Sequence, residues 1–135
     1  MHEWAIAMSI VGSVEKWSLE RNLKVKKVYL SIPSLSMLEV EILLEAFNTI
    51  KKESKISGAE LEVIVREQNF KCRSCGNVFT MKDIKEELES VIKDYGEENP
   101  LHIAPSLITA FAKCPKCGSN DFEVDSSIRV EGIEV

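Results

Sequence analysis

The first three residues, Met1, His2 and Glu3, can turn the amino end of this chain into a metal chelate. The terminal amine, the backbone nitrogen of His2 and the His2 imidazole can close fused chelate rings around one ion. Nitrogen-rich, planar coordination of this kind suits Ni(II) or Cu(II) better than Zn(II) or Mg(II). The ordinary interpretation of such a tripeptide is a solvated chain end, so a metal role needs a second metal signal elsewhere in the sequence.

Two copies of a C-x-x-C-G motif, at residues 72–76 and 114–118, supply that second signal. Their sulfurs belong to Cys72, Cys75, Cys114 and Cys117. Two cysteines separated by two residues bind one ion as a pair, and the following glycine accepts the positive φ that turns backbone N–H groups toward the sulfurs. Two such knuckles together predict a closed tetrahedral tetrathiolate, the arrangement that structural Zn(II) prefers.

A closed tetrathiolate leaves no coordination position for water or substrate, so we expect this zinc to be structural. It should contribute on the order of 10 kcal/mol to the folding of a module that lacks a core of its own. Iron and a redox disulfide are the alternatives. A thioredoxin-like role would need a knuckle at the start of a helix, and neither knuckle is followed at once by a helical pattern.

The bulk composition limits the class of protein. With 135 residues, 44% of them hydrophobic, the chain can form one domain or two small ones. A net charge of −5 argues against nucleic-acid binding, which needs a basic face. No secretory leader and no membrane-spanning run is visible. We therefore expect a cytoplasmic protein, a monomer or weak dimer, whose four cysteines are reduced metal ligands.

Hydrophobic periodicity predicts the elements that must position these residues. Helices are expected at 3–21, 38–50 and 81–95, and strands at 24–32, 59–67, 122–124 and 127–135. Ser34 or Ser36 should cap the second helix, and Thr80 should cap the third, with Asp83 three residues later. Trp4 and Trp17 are expected in the core and Gly132 at a β-bulge.

The fold class predicted from this order is α+β, a small mixed sheet with two helices plus an inserted zinc-ribbon-like domain with an extra helix. Residues 1–69 and 121–135 should form the nickel-binding α+β domain. Residues 70–120 should form the inserted zinc-binding domain.

His102 is the only other histidine, and it lies between Pro100 and Pro105. The ordinary interpretation is a loop residue without a special task. The alternative is a remote ligand that completes a nitrogen-rich nickel site at His2. The acidic residues at 94–98 are either solvated surface or a docking surface for a basic partner.

Taken together, the terminal tripeptide and the paired knuckles resemble the HypA/HybF family of hydrogenase nickel-incorporation proteins, over nearly the whole chain. The resemblance implies a small metallochaperone that delivers Ni(II) during maturation of nickel–iron hydrogenase. It implies two partners, the GTPase HypB and the hydrogenase large-subunit precursor. His2 would then be the nickel ligand together with nitrogens at Met1 and His2, Glu3 would tune or join the site, and the four cysteines would hold zinc.

The softness of the ligands predicts which metal each of the two sites binds. Thiolates would hold zinc permanently, whereas the open nitrogen site would hold nickel transiently and release it. One departure from the family matters, because most members have a much shorter link between the knuckles. Residues 81–105 are therefore an elaboration, and no role of His102 can be carried over.

Two other classes of function compete with this one. A zinc-ribbon adaptor for protein or nucleic acid would share the two cysteine motifs, but it would not explain the first three residues. It would also need exposed basic and aromatic residues around the ribbon, where this chain is acidic. An enzyme would need a nucleophile–base pair or a phosphate-binding glycine loop, and the sequence has neither. We therefore expect no catalytic activity.

Overall fold

The computed structural model describes residues 2–96 and 105–135 and divides into two compact units. Unit 1 comprises Met1–Ile32, Leu38–Ile64 and Ile128–Val135, and unit 2 comprises Pro33–Met37 and Val65–Ser127. The α+β class is confirmed, with three α-helices and two three-stranded sheets in the described ranges. Within those ranges, no helix is both long and apolar enough to cross a bilayer.

The unit boundaries differ from the predicted ones of 70 and 120. Unit 2 begins at Val65, ends at Ser127 and also includes the short segment Pro33–Met37. That segment belongs there because Leu35 is fully buried in the hydrophobic core of unit 2. A five-residue segment so distant in sequence carries no periodic signal, so hydrophobic patterning could not assign it.

Unit 1 packs two helices with a three-stranded sheet. Its elements are α1 (His2–Arg21), β1 (Lys27–Pro33), α2 (Val40–Ile50), β2 (Glu60–Arg66) and β6 (Arg129–Glu134). The strand order is β2-β1-β6, and β6 pairs antiparallel with β1. The pairing shifts between Tyr29, opposite Gly132, and Leu30, opposite Val130. The predicted bulge is therefore present beside Gly132, with Glu131 as the extra residue.

The core of unit 1 forms where α1 and α2 bury their apolar stripes. The fully buried members from the two helices are Ala7, Ile10, Val11, Val14, Leu43, Ala46 and Phe47. Of the two tryptophans, only Trp17 packs against this core as predicted. Trp4 is 39% exposed, so its prediction is wrong.

The predicted serine cap of α2 is also wrong. Ser34–Ser36 form a separate 3-10 turn, which ends at Met37 in the left-handed region with φ of 55°. The Ser36 hydroxyl donates to the carbonyl of Pro33 at 2.7 Å. The residue at the N-cap of α2 is instead Glu39, whose own side chain makes no capping hydrogen bond.

Unit 2 contains its own sheet and one helix. Its elements are β3 (Asn69–Cys72), β4 (Val78–Thr80), α3 (Lys85–Tyr95) and β5 (Phe122–Val124), with strand order β4-β3-β5. Both outer strands pair antiparallel with β3. Strand β5 therefore belongs to the sheet that carries the first knuckle, and its assignment to the nickel-binding domain is corrected.

Three phenylalanines form the centre of unit 2, one from each strand. The ring centroids of Phe70, Phe79 and Phe122 lie 5.2–5.5 Å apart, with Phe122 edge-on to the other two. Pairs in this geometry stabilise beyond the area they bury. Unit 2 thus has a core of its own, contrary to the expectation that zinc alone would organise it.

The 3-10 turn that leads into helix α3 begins where the sequence predicted a cap. The Asp83 carboxylate accepts the backbone N–H of Thr80 at 2.8 Å, closing a capping box. One 3-10 turn, Met81–Ile84, precedes the α-helix proper. The cap works here because all of its partners lie within four residues.

Candidate metal centres

The two cysteine knuckles have the same local structure. In the first, Gly76 donates its N–H to the carbonyl of Cys72 at 3.0 Å, and in the second, Gly118 donates to Cys114 at 2.9 Å. Both glycines have φ of 76°. A side chain at that φ would be strained, so glycine is required for the turn.

The knuckles bring all four sulfurs to one point. The Sγ atoms lie within 4.8 Å of one another, with 3.5 Å between Cys72 and Cys117 and 3.7 Å between Cys75 and Cys114. Four sulfurs about 2.3 Å from a tetrahedral ion are separated by about 3.8 Å. The donor set therefore fits a tetrahedral metal ion held by four thiolates. Cys72 and Cys114 are buried, whereas Cys75 and Cys117 are exposed.

Asn77 connects the knuckles and was not singled out from the sequence. Its carbonyl accepts the N–H of Cys72 at 2.9 Å, and its side-chain amide donates to the sulfur of Cys114, in the other knuckle, at 3.7 Å. An amide that donates to a metal-bound thiolate orients the ligand and tunes its charge. The only sequence signal would have been its position after the glycine of a knuckle.

A second set of contacts joins the first knuckle to the residues that follow the second knuckle. The Ser74 hydroxyl donates to the Ser119 hydroxyl at 3.1 Å. The Arg73 guanidinium binds the Asp121 carboxylate at 2.7 Å, and the Arg73 N–H donates to the Asp121 carbonyl at 3.0 Å. The side chains are exposed, so the ion pair contributes little, but the backbone contact fixes the first knuckle to the chain after the second.

Hydrogen bonds from the knuckle backbones favour the charged form of the two buried sulfurs. The pKa of the Cys72 thiol is lowered, chiefly because the backbone N–H of Cys75 donates to its sulfur. Burial raises the pKa of Cys114, but the backbone N–H of Cys117 and the amide of Asn77 help to outweigh it and lower the pKa to about 6. These donors stabilise thiolate, the form that binds metal.

The fourth sulfur behaves in the opposite way. The backbone N–H of Ser119 lowers the pKa of the Cys117 thiol, but the adjacent sulfur of Cys72, with those of Cys75 and Cys114, raises it to about 12. Four sulfurs this close cannot all be ionised without a cation between them. A divalent ion supplies that charge and displaces the remaining protons.

The second candidate site lies at the start of α1. His2 is the first residue of the helix and is partly buried, and Glu3 follows with its side chain only 3% exposed. Amides in the first turn of a helix have no carbonyl four residues before them. Metallation of the His2 amide would therefore break no hydrogen bond of the helical ladder.

Glu3 anchors this end of α1 to the start of α2. Its Oε2 atom accepts the backbone N–H of Glu39, the N-cap of α2, at 3.0 Å. Burial raises the pKa of Glu3, but the N–H groups of Glu39 and of Glu3 itself outweigh it, so the pKa lies below its ordinary value. The carboxylate is thus charged and sits at the positive end of α2.

The structure thus brings together some of the predicted site residues. The four cysteines converge on one point, and His2 and Glu3 lie side by side at the start of α1. Met1 and His102 lie outside the described residues. Glu39, the partner of Glu3, was missed because nothing local marks a backbone N–H whose acceptor lies 36 residues earlier.

A substitution at Glu3 should measure the strength of this anchor. Glu3→Ala removes a buried, charged acceptor and leaves the Glu39 N–H without its partner, so we expect a loss of about 1–3 kcal/mol in the free energy of unfolding. Urea denaturation at neutral pH gives this value. Glu20→Ala, in the last turns of the same helix, is the control, because Glu20 makes only an exposed 3.8 Å ion pair with Arg21. Equal stability of the two variants would contradict the anchor.

Comparison with known proteins places the chain in a family. The family model of hydrogenase/urease nickel-incorporation metallochaperones, HypA, matches residues 1–135. This chain belongs to the HypA family. The hydrogenase maturation factor HypA of Thermococcus sibiricus is 40% identical over 140 residues, covering 98% of both chains. That of Pyrococcus furiosus is 35% identical over 125 residues, covering 92% of this chain and 86% of the relative.

Solved structures of HypA proteins share the fold. The solution structure of the Ni metallochaperone HypA from Helicobacter pylori superimposes with a TM-score of 0.61 at 19% identity, covering 98% of this chain and 95% of that one. A second solution structure of a HypA protein gives a TM-score of 0.62 at 21% identity. The chain is accordingly a nickel-incorporation metallochaperone of hydrogenase maturation, with a four-cysteine metal site.

Proposed function

We propose that the chain carries its Ni(II) at the amino end. The ligands are the Met1 amine, the backbone nitrogen of His2 and the His2 imidazole, a donor set suited to planar Ni(II). The position of His2 at the first residue of α1 supports this assignment. Glu3 holds the start of α1 in place through the backbone N–H of Glu39, so the His2 ligands are presented from a fixed part of the helix.

The role of Glu3 in this proposal is positional. One of its carboxylate oxygens is engaged by the Glu39 N–H at 3.0 Å, and the side chain is buried. A carboxylate held in this way orients the neighbouring residue. His102 is the candidate for a further nitrogen ligand, the alternative that the sequence leaves open beside a loop residue without a special task.

The four-cysteine site holds Zn(II) as a structural ion. The tetrathiolate set, with sulfur separations close to those of a tetrahedral Zn–S₄ centre, supports this assignment, and metal analysis distinguishes zinc from iron, which accepts the same ligands. The site is complete without a further ligand, so it retains its ion while nickel is exchanged at the open site. Metal analysis of purified protein should find one zinc per chain, and one iron per chain would contradict the assignment.

We infer two protein partners, and family membership supports them. Nickel is passed to the large-subunit precursor of a nickel–iron hydrogenase with the help of the GTPase HypB, in the cytoplasm. The name hydrogenase maturation factor carried by relatives at up to 40% identity supports a hydrogenase as the recipient. A strain lacking this protein should regain hydrogenase activity when it is restored or when nickel is added in excess.

A blocked amino end tests the nickel site directly. Acetylation of Met1 or an added N-terminal tag removes the terminal amine donor, so we expect nickel affinity to fall by at least about tenfold, roughly 1.4 kcal/mol per lost factor of ten. Calorimetric titration of zinc-loaded protein measures the change. The same tag at the carboxyl end is the control. An unchanged nickel affinity after N-terminal blocking would remove Met1 from the site.

A further inference from the structure

A groove with a volume of about 360 Å³ lies beside helix α3 in unit 2. This volume is at the lower end of the range for ligand pockets. Its acidic lining residues are Glu86, Glu87 and Asp94, all on α3. Its aromatic lining residues are Tyr95, the last residue of that helix, and Phe111. We refer to it as the α3 groove.

The three carboxylates of the α3 groove have no basic partner among residues 2–96 and 105–135. No ion pair joins Glu86, Glu87 or Asp94 to a lysine, arginine or histidine of these ranges, and none of the lining residues there is basic. Glu89, on the same helix but outside the groove, lies 3.7 Å from Lys85. Exposed acidic side chains are commonly just hydrated surface, so the carboxylates alone do not define a binding site.

An aromatic wall distinguishes the α3 groove from a hydrated acidic surface. The rings of Tyr95 and Phe111 meet edge to face, with centroids 6.1 Å apart and an interplanar angle of 70°. Phe111 is half-buried and packs against the core of unit 2, so it holds the Tyr95 ring in place. Tyr95 is 51% exposed, so its ring can contact a ligand. A cation near the face of such a ring is attracted by the ring quadrupole.

The end of helix α3 adds negative potential to the groove. The last four carbonyls of a helix have no partner within it and carry partial negative charge. Asp94 lies in this last turn, where an acidic side chain is unfavourable unless a cation offsets it. Lys93 lies in the same turn but does not line the groove. The carboxylates, the tyrosine ring and the helix end thus all favour a positively charged ligand.

We propose that the α3 groove binds an arginine side chain from a basic segment of a partner protein. The guanidinium donates two parallel N–H groups to one carboxylate, and its planar face stacks on an aromatic ring. The ammonium of lysine is compact and strongly hydrated, so it pairs with the carboxylates but uses the ring less well. The chain's net charge of −5 also favours the approach of a basic partner.

The binding of one short basic segment is weak, because the carboxylates are exposed to water. We expect a dissociation constant on the order of 0.1–1 mM for a peptide that supplies only the arginine contact. The lining residues on α3 and Phe111 include none of the predicted nickel or zinc ligands. Occupation of the groove therefore does not depend on the proposed nickel site.

An NMR titration of the full zinc-loaded chain tests the proposal. The probe is a short glycine–serine peptide that carries two arginines. We expect saturable shifts of the amide signals of Tyr95 and Phe111. Glu87→Gln removes one carboxylate from the groove, so the dissociation constant should rise at least about threefold. Tyr95→Leu removes the exposed ring and should raise it by about two- to fivefold.

Glu89→Gln is the matched control, because it makes the same change of charge two residues away, outside the groove. It should leave the dissociation constant unchanged. The same peptide with lysines in place of arginines should bind at least about threefold more weakly. Thermal melts check that each variant folds, and nickel titrations should give the same affinity for all of them, which separates this proposal from that of the nickel site.

Four results would overturn the proposal. They are equal weakening by Glu87→Gln and Glu89→Gln, wild-type affinity in a folded Tyr95→Leu chain, equal binding of the lysine and arginine peptides, and no saturable shift at millimolar peptide. The first would show attraction by the overall charge of the helix only, and the third would show a site for any cation.

Discussion

Replacement of Cys114 by serine should release the proposed zinc ion and melt unit 2. Cys114 is buried, and its sulfur accepts the amide of Asn77 and lies 3.7 Å from the sulfur of Cys75. Structural zinc supplies on the order of 10 kcal/mol to small domains, so its loss should destabilise unit 2 strongly even though unit 2 has a hydrophobic core. We expect zinc content to fall to near zero and the melting transition of unit 2 to drop by tens of degrees or disappear.

Calorimetry combined with metal analysis measures both effects in one sample. Ser74→Ala is the matched control, because Ser74 lies inside the first knuckle and only its exposed hydroxyl contacts Ser119. That variant should keep its zinc and lose less than about 1 kcal/mol. A Cys114→Ser chain that melts like wild type after its metal is lost would show that unit 2 does not depend on the ion.

His2→Ala should abolish nickel binding while leaving zinc in place. The variant removes the imidazole and with it the chelate ring that the side chain closes on the backbone nitrogen. We expect the nickel dissociation constant to rise by at least about 100-fold, roughly 2.7 kcal/mol. Titration of zinc-loaded protein gives the affinity, and the absorption of planar Ni(II) reports whether the nitrogen chelate still forms.

The second histidine provides the control for this experiment. His102→Ala removes the only other imidazole in the chain and leaves the terminal chelate intact, so nickel should still bind. A modest loss of affinity with a changed spectrum would fit His102 as an added ligand. Full binding by His2→Ala together with loss of binding by His102→Ala would contradict the terminal site.

Local patterns predicted local structure well. The C-x-x-C-G spacing determines each knuckle because the backbone hydrogen bonds that shape it span no more than five residues, as in those from Gly76 to Cys72 and from Cys72 to Asn77. The start of α3 was predictable for the same reason, since Thr80 and Asp83 are three residues apart. Convergence of four sulfurs on one ion then follows from coordination chemistry.

Contacts between distant parts of the sequence were not predictable in this way. Serine is a common N-cap residue, but the Ser36 hydroxyl donates to the carbonyl of Pro33 instead. The N-cap position of α2 is occupied by Glu39. Leu35 joins the core of unit 2 although the chain segments on either side of Pro33–Met37 belong to unit 1. Trp4 was expected in the core because tryptophan is usually buried. It is exposed because the side of α1 that packs in the core is formed by other residues, among them Ala7 and Ile10.

The anchor between Glu3 and Glu39 also bears on the order of folding. Helix α2 has only 11 residues, and isolated helices of that length are marginal in water. Its capping acceptor lies 36 residues upstream in α1, so the first turn of α2 gains that bond only when α1 has docked. A chain shortened by three residues at its start would therefore lose the bond at the start of α2 together with the proposed nickel ligand His2.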